Sequence, residues 1–133
     1  MRLTRAVLPL MIAAGNGSIV NVTSEAGLRG GAAGLAYTAS KHAVIGMTRN
    51  TSVMYSSNNI RCNAVAPGGV QTNIEAPMRS PRAGSVLGPV FQHVLPPAAT
   101  ADQLAATITW LASADSANVT GVVLASDGGW SAI

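Results

Sequence analysis

The chain has few charged residues, few aromatic residues and a single cysteine. Charged residues make up 10% of its 133 residues and aromatic residues 4%, whereas about a quarter of an ordinary soluble domain is charged. The shortage of charge predicts that part of the surface is covered by other protein. Cys62 has no second cysteine to pair with, so we expect a reducing, cytoplasmic setting and a small buried side chain, not a nucleophile.

The sequence also lacks a basic stripe and any membrane-length apolar run. The net charge of +3 is spread over eight scattered cations: Arg2, Arg5, Arg29, Lys41, Arg49, Arg61, Arg79 and Arg82. Without a basic face or interleaved aromatics we expect no nucleic-acid partner, and without a long apolar run no membrane partner. Residues 1–5, which are basic, and residues 6–14, which are apolar, together resemble a signal peptide, although Pro9 interrupts the apolar run. A secreted module is therefore kept as an alternative.

What the sequence does contain is a folded α/β pattern in one domain. Hydrophobic residues make up 48% of the chain and the mean hydropathy is +0.34, which predicts strands buried on both faces. Strands are predicted at 18–23, 60–66 and 121–125, and helices at 3–14, 36–56 and after the capping-box pair Thr100 and Gln103. This alternation predicts a parallel sheet of about three strands with flanking helices, in a single domain spanning 1–133.

Residues 71–99 break that pattern. They contain Pro77, Pro81, Pro89, Pro96 and Pro97, so we predict a loop or a loosely helical lid outside the core. Its apolar residues either line a pocket or pack as the lid itself, and both alternatives stay open. These residues are Ile74, Met78, Val86, Leu87, Val90 and Phe91.

Tyr37 and Lys41 are four residues apart at the start of the long predicted helix, so their side chains share one face. A free tyrosine titrates at about pH 10, but a neighbouring ammonium stabilises the phenolate and so helps it exchange protons. Ser24 ends the preceding strand, where its hydroxyl can donate a hydrogen bond to the same substrate oxygen. The three residues therefore predict acid–base chemistry at an alcohol or carbonyl oxygen.

Four other polar residues are given simpler interpretations. His42 is predicted to face the surface or an interface, and His93 has no partners for a metal site, so no metal is expected. Glu25 either touches the substrate or, more simply, is a solvated loop carboxylate. Asp127 before two glycines is typical of a turn.

Four segments in this order resemble the second half of the short-chain dehydrogenase/reductase family. They are Gly17-Ser18-Ile19-Val20-Asn21-Val22-Thr23-Ser24, Tyr37-Thr38-Ala39-Ser40-Lys41, residues 60–72 with Pro67-Gly68-Gly69, and Ser126-Asp127-Gly128-Gly129-Trp130. The resemblance covers nearly the whole chain and is weakest at 73–99. It implies that residues 71–99 are the family's variable substrate loop, whose apolar residues then line a pocket for a hydrophobic alcohol or ketone or pack as a lid. It implies a Rossmann-like, three-layer fold, an NAD(P)-dependent oxidoreductase acting on a small alcohol or carbonyl substrate, and a homodimer or homotetramer.

The same resemblance implies roles for individual residues. Tyr37 is then the general acid/base, Lys41 assists it and binds the nicotinamide ribose, and Ser24 orients the carbonyl. Cofactor contacts are implied for Tyr37, Lys41, Pro67, Gly68, Val70 and Thr72, and substrate contacts for Ser24, Glu25 and Gly69.

One half of the family pattern has no counterpart in these residues. The glycine-rich turn Thr-Gly-x-x-x-Gly-x-Gly, whose amides receive the cofactor pyrophosphate, does not occur. We therefore expect that the N-terminal half of the doubly wound sheet is absent and that strand 18–23 has an unpaired edge. We also expect that the isolated chain is marginally stable or prone to aggregation, and that it is inactive. The alternative is a noncatalytic remnant or subunit that docks on a full-length relative through the helix at 36–56. The choice of NAD or NADP, the substrate and the reaction direction are not encoded here.

Overall fold

The computed structural model describes residues 1–74, 77 and 79–133. Its elements follow the predicted order, with boundaries shifted by one or two residues. They are α1 (Arg2–Ala14), β1 (Gly17–Val22), α2 (Leu35–Tyr55), β2 (Ile60–Pro67), α3 (Pro81–Val94), α4 (Ala101–Ala112) and β3 (Val123–Ser126). None of the helices described is both long enough and apolar enough to cross a membrane.

The described strands form one parallel sheet in the order β1-β2-β3. Val22 is paired with Val65, and Pro67 with Ser126, so all three strands end at the same edge. Within the described residues β1 is hydrogen-bonded to a strand on one side only. The predicted α/β class with a three-stranded parallel sheet is confirmed, and the segments that follow the three strands meet at one edge.

The central strand β2 holds most of the core. Residues 62–67 of this strand are all buried, as expected for a parallel strand covered on both faces. Cys62 is fully buried within it, and burial raises the pKa of its thiol to about 11. The thiol is therefore protonated at neutral pH, which supports its interpretation as a small buried side chain.

Arg61, also on β2, joins the sheet to the end of α4. Its guanidinium donates from Nη1 to the carbonyl of Leu111 at 2.9 Å, to Ser116 Oγ at 3.0 Å and to the carbonyl of Val119 at 3.3 Å. Its Nη2 donates to the carbonyl of Ser113 at 2.9 Å. The carbonyl of Leu111, at the end of α4, has no backbone partner inside the helix, and Arg61 donates to it together with Ser18 Oγ at 3.2 Å and Ser116 Oγ at 2.9 Å.

The start of α4 has the capping box that the sequence predicts. Thr100 Oγ1 accepts from the amide of Gln103 at 3.3 Å, and Gln103 Oε1 accepts from the amide of Thr100 at 2.9 Å. Leu111 at the other end of the helix is fully buried against the sheet. The capping box thus begins a helix that carries part of the core.

Replacing Thr100 with Ala is expected to lower the free energy of unfolding by about 1 kcal/mol, because one helix amide loses its acceptor. Denaturant unfolding followed by circular dichroism measures this change. Thr109→Ala, at an exposed position of the same helix, is the control and should change stability by less than about 0.5 kcal/mol. Equal losses in the two variants would show that the cap contributes nothing specific.

Residues 81–94 differ from the prediction of a loop or loose helix. They form the regular helix α3, which begins because Ser80 Oγ accepts from the amide of Ala83 at 3.2 Å and Pro81 occupies the first turn, where its missing N–H costs nothing. No residue of α3 is buried, so its predicted place outside the core is confirmed. Met78 lies outside the described residues.

Candidate active site

Ser24 lies just beyond the carboxyl end of β1. The amide of Thr23 still donates to the carbonyl of Val65 at 2.8 Å, which continues the strand pairing up to the serine. Ser24 then caps a short 3₁₀ turn at Glu25–Gly27, and its Oγ accepts from the amide of Ala26 at 3.1 Å. We call residues 24–27 the Ser24 turn. Because that hydrogen bond uses an oxygen lone pair, the hydroxyl proton stays free to donate.

Tyr37 and Lys41 lie side by side on the first turns of α2. The Lys41 ammonium is 5.4 Å from the centre of the Tyr37 ring and donates to the carbonyl of Val22 at 3.1 Å. Tyr37 is 49% exposed, so a substrate in solution can reach it. The ammonium is therefore held between the end of β1 and an accessible phenol, with two of its three N–H groups still available.

The Ser24 turn is packed tightly against α2. Thr23 Oγ1 donates to the carbonyl of Lys41 at 2.9 Å. A side chain at Gly27 would have its Cβ only 3.0 Å from the same carbonyl oxygen, so no bulkier residue fits there without movement. These contacts fix Ser24 relative to the helix that carries Tyr37 and Lys41.

The loop that follows β2 starts at the sheet edge where Ser24 lies and then turns away from that edge. Gly68 donates its amide to Ser126 at 3.2 Å, and a Cβ on it would lie 3.0 Å from Asp127 Cα. Val70 pairs with Ala99 in an isolated bridge. The exposed Thr72 accepts from the amide of Ile74 at 3.3 Å.

Only part of the predicted cofactor loop is thus fixed beside the catalytic candidates. Pro67 and Gly68 share the sheet edge with Ser24, whereas Gly69 and Thr72 are exposed. Within the described ranges no side-chain hydrogen bond joins residues 67–72 to Ser24, Tyr37 or Lys41.

Glu25 is buried, with a relative exposure of 1%. Its interpretation as a solvated loop carboxylate is therefore wrong, and burial leaves it no surface with which to meet a substrate. Its carboxyl pairs with the guanidinium of Arg29 and faces Asp127. Burial raises the pKa of Glu25, Arg29 opposes that rise, and Asp127 adds to it. This pair was not predicted, although the four-residue spacing of Glu25 and Arg29 could have indicated it.

Asp127 forms the turn that the sequence predicts. Its Oδ1 accepts from the amide of Gly129 at 3.0 Å, and its Oδ2 from the amide of Ser131 at 2.7 Å. We call residues 127–131 the Asp127 turn. Burial by itself would raise the pKa of Asp127, but the donors from Ser131 and Gly129 outweigh it and hold that pKa below its usual value.

The two histidines lie apart from these residues. His42 is exposed, as predicted, and its Nδ1 bonds to the carbonyl of Thr38 at 3.0 Å. His93 is exposed on α3. In the part of the chain that the structure describes, no three His, Cys, Asp or Glu side chains are grouped to hold a metal ion.

An apolar cavity of about 250 Å³ lies between α3 and the end of the chain. It is lined by Arg29, Gly31, Leu87, Val90, Phe91, Val94, Trp130 and Ile133. Phe91 and Trp130 meet edge to face at 5.8 Å. Of the predicted apolar loop residues, Leu87, Val90 and Phe91 thus line a pocket, whereas Ile74 and Val86 are not among its lining residues.

The donors at this site fit one end of a nicotinamide nucleotide. The remaining ammonium protons of Lys41 suit ribose hydroxyls, and the accessible phenol of Tyr37 suits an oxygen at the reacting carbon. The exposed hydroxyl of Thr72 suits a carboxamide. The amide cradle for the pyrophosphate is not among these residues, so the fit concerns the nicotinamide end alone.

Comparison with known proteins gives a family assignment. Residues 1–131 match a family model described as enoyl-(acyl carrier protein) reductase. A short-chain dehydrogenase/reductase of Talaromyces verruculosus is 44% identical over 142 residues, which cover 100% of this chain and 56% of that protein. A 3beta-hydroxysteroid dehydrogenase of Eggerthella lenta is 40% identical over 96% of this chain and 50% of its own length. The chain spans about half the length of the curated relatives it matches.

Solved structures give the same result. A dehydrogenase of Beutenbergia cavernae with NADP bound has a TM-score of 0.82 and 33% identity, over 98% of this chain and 52% of that one. A short-chain dehydrogenase of Mycobacterium paratuberculosis bound to NAD has a TM-score of 0.80 and 34% identity, over 94% of this chain and 49% of that one. With its Rossmann-like sheet and these matches, the chain belongs to the short-chain dehydrogenase/reductase family of oxidoreductases.

Proposed function

We propose that the polypeptide carrying these residues is an NAD(P)-dependent oxidoreductase that interconverts an alcohol and a ketone or aldehyde. The observation that carries the proposal is the position of the Lys41 ammonium, 3.1 Å from the carbonyl of Val22 and 5.4 Å from the centre of the exposed Tyr37 ring. An accessible phenol held beside a fixed cation suits proton exchange with the oxygen of an alcohol or carbonyl compound. The family membership and the nucleotides bound to the two solved relatives support the same chemistry.

Tyr37 moves the proton. In alcohol oxidation its Oη takes the hydroxyl proton of the substrate as the carbonyl forms, and in reduction it returns a proton to the new alkoxide oxygen. When bound, the nicotinamide nucleotide accepts or supplies the hydride. Lys41 offsets the charge on the phenolate, and its unused N–H groups hold the ribose.

Ser24 orients the reacting oxygen. Its Oγ already accepts a hydrogen bond from Ala26, so its hydroxyl donates to the substrate oxygen. Such a donor is most effective when it is fixed before the reaction begins. The packing of the Ser24 turn against α2 supplies that rigidity.

The loop from Pro67 to Thr72 is proposed to border the nicotinamide, with Gly69 nearest the substrate. This position is supported by Pro67, which ends β2, and by Gly68, which follows it at the sheet edge shared with Ser24. The apolar cavity lined by Leu87 and Phe91 supports a substrate with a hydrophobic body.

We further propose that a second copy of the chain covers the exposed apolar side chains of the helices. Leu3 and Leu10 of α1 are 75% and 72% exposed, and Leu35 and Val53 of α2 are 88% and 76% exposed. Patches of this kind mark association surfaces. A homo-oligomer also accounts for the low charge of the sequence.

A noncatalytic chain that docks on a full-length relative is the competing function, favoured by the same exposed residues of α2. It predicts the same fold without nicotinamide turnover. The two proposals are separated by an assay of the natural polypeptide, expressed with whatever coding sequence lies in frame upstream of Met1. Formation of reduced nicotinamide from NAD⁺ or NADP⁺ with apolar secondary alcohols supports the enzyme.

Lys41→Met is expected to lower kcat/KM about ten- to a hundredfold, because hydrogen bonds to a charged group contribute about 1.5–3 kcal/mol. Arg49→Met, which removes an exposed cation from the same helix, is the matched control and should leave kcat/KM unchanged. Equal losses in both variants would contradict the role of Lys41. Failure of the polypeptide to bind either nucleotide in a fluorescence titration would favour the noncatalytic alternative.

A further inference from the structure

The apolar cavity between α3 and the end of the chain is built partly on the loop that joins two catalytic candidates. Residues 28–34 run from the Ser24 turn to the start of α2, which carries Tyr37, and Gly31 in the middle of this loop lines the cavity. Arg29, another lining residue, lies one turn past Ser24, since its amide donates to a carbonyl of the Ser24 turn at 3.3 Å. The wall of the cavity therefore begins a few residues from the groups proposed to hold the reacting oxygen.

The lining of this cavity suits an uncharged group. Its charged member, Arg29, directs its guanidinium to the buried carboxyl of Glu25 and to the main-chain oxygen of Ile133, the latter at 2.9 Å. Phe91 and Trp130 form an aromatic wall, with ring centres 5.8 Å apart and ring planes at 82°. A charged ligand would lose its water here without gaining a free partner, whereas an apolar body gains by leaving water.

The cavity is large enough to hold a ring. Its volume is about 250 Å³, whereas a cavity of about 150 Å³ lined by apolar side chains binds benzene. A six-membered ring with substituents, or two fused rings, therefore fits inside it.

Gly31 leaves part of this space open. A Cβ built on Gly31 would lie 3.4 Å from Cδ2 of Leu87 on α3, at the short end of ordinary van der Waals contact between two carbon atoms. The φ of Gly31 lies outside the left-handed region, so the backbone does not require glycine at this position. A methyl group added there would fill space opposite Leu87 without straining the backbone.

We propose that Gly31 is a specificity-determining residue, because the space it leaves opposite Leu87 admits the apolar ring of a cyclic secondary alcohol or ketone. The proposal rests on the oxidoreductase function proposed above and names the substrate class of the same site. The ring lies between α3 and the Asp127 turn, and the reacting carbon faces Ser24 and Tyr37. Gly31 acts through the volume that it leaves unfilled.

The first test measures binding and requires no turnover. Isothermal titration calorimetry of the natural polypeptide with decalone, a ketone of two fused saturated rings, should detect binding to the wild type. Gly31→Ala should raise the dissociation constant about tenfold, since one carbon atom decides about that much in an apolar pocket. The matched control is Gly30→Ala, because Gly30 is exposed and a Cβ on it would meet open space. Its dissociation constant should stay within about twofold of the wild type.

A second variant separates loss of space from loss of fold. Leu87→Ala removes the carbon that the new methyl group would contact, so in that background Gly31→Ala should raise the dissociation constant less than about threefold. The same tenfold loss in both backgrounds, or an unchanged dissociation constant in Gly31→Ala alone, would overturn the proposal. So would a wild type that binds no decalone, whether or not NAD⁺ or NADP⁺ is present.

The third measurement asks whether the cavity selects substrates. Gly31→Ala should lower kcat/KM for decalol about tenfold and leave kcat/KM for isopropanol, which has no ring, within about twofold of the wild type. Equal losses with the two alcohols would overturn the specificity role. Decalone binding that responds to Gly31→Ala, without turnover of either alcohol, would support the ring site and refute the proposed oxidoreductase function.

Discussion

Replacing Tyr37 with Phe is expected to lower kcat of the natural polypeptide by about 10²–10⁴-fold, the range that a positioned acid–base group supplies. The change removes one oxygen and keeps the ring beside Lys41. Nucleotide binding should therefore be preserved, with a dissociation constant within about threefold of the wild type, which is under about 1 kcal/mol. Steady-state kinetics and a fluorescence titration with the reduced nucleotide measure the two quantities.

Tyr55, the other tyrosine of the chain, provides the matched control. It lies at the end of α2, far along the helix from Lys41, so Tyr55→Phe should leave kcat unchanged. A comparable loss in Tyr55→Phe, or near-normal turnover in Tyr37→Phe, would show that the phenol of Tyr37 is not the acid–base group.

Arg61→Met is expected to destabilise the fold by about 1.5–3 kcal/mol, the range for hydrogen bonds to a charged group, because it removes the cation that joins β2 to the segment around the end of α4. The loss is limited because some acceptors keep another donor, such as Ser116 Oγ for the carbonyl of Leu111 and Asn63 Nδ2 for the carbonyl of Val119. Three of the acceptors of Arg61 are carbonyls, of Leu111, Ser113 and Val119, and the fourth is the hydroxyl of Ser116. The free energy of unfolding in denaturant measures the loss. Such a loss is a large part of the stability of an ordinary domain.

Two further variants identify what Arg61 contributes. Arg61→Lys keeps the charge but not the planar fork, so it should recover less than half of the lost stability. Arg5→Met removes an exposed cation from α1 and should change stability by less than about 0.5 kcal/mol. A change of less than about 1 kcal/mol in Arg61→Met would mean that water satisfies these acceptors equally well.

The features that the sequence predicted correctly are local ones. The β-branched runs around Val20 and Val65, and the capping pair Thr100 and Gln103, depend on neighbours within a few positions. The contact between Tyr37 and Lys41 follows from their spacing on one helix. Each pattern contains the physical cause of its own structure, so the three strands and the main helices could be placed without coordinates.

The features that the sequence could not reveal depend on residues far apart in the chain. Glu25 follows a predicted strand directly and was therefore interpreted as a solvated loop residue, whereas the packing of its turn against α2 and β2 leaves it 1% exposed. In the sequence Arg61 could not be distinguished from the other scattered cations, because its hydrogen-bond acceptors near the end of α4 are about 50 positions away. The prolines of residues 81–94 led to the prediction of a loop or loose helix, although Ser80 and Pro81 form an ordinary helix start and the segment is the regular helix α3. The roles of Val70 and Thr72 were inferred from family resemblance. In this structure Val70 pairs with Ala99 and Thr72 is exposed, so neither residue is enclosed together with Ser24, Tyr37 and Lys41.

The parallel sheet also determines when the Ser24 turn can form during folding. Asn21 and Cys62, in contact across β1 and β2, are 41 positions apart, and Asn63 and Val122 are 59 positions apart. Arg29 and Ile133, which meet at the back of the turn, are 104 positions apart. Contacts of such long range close slowly because a large loop must be ordered first. During synthesis, the loop that carries Ser24 therefore leaves the ribosome before β3 and becomes rigid only when β3 and the Asp127 turn have followed.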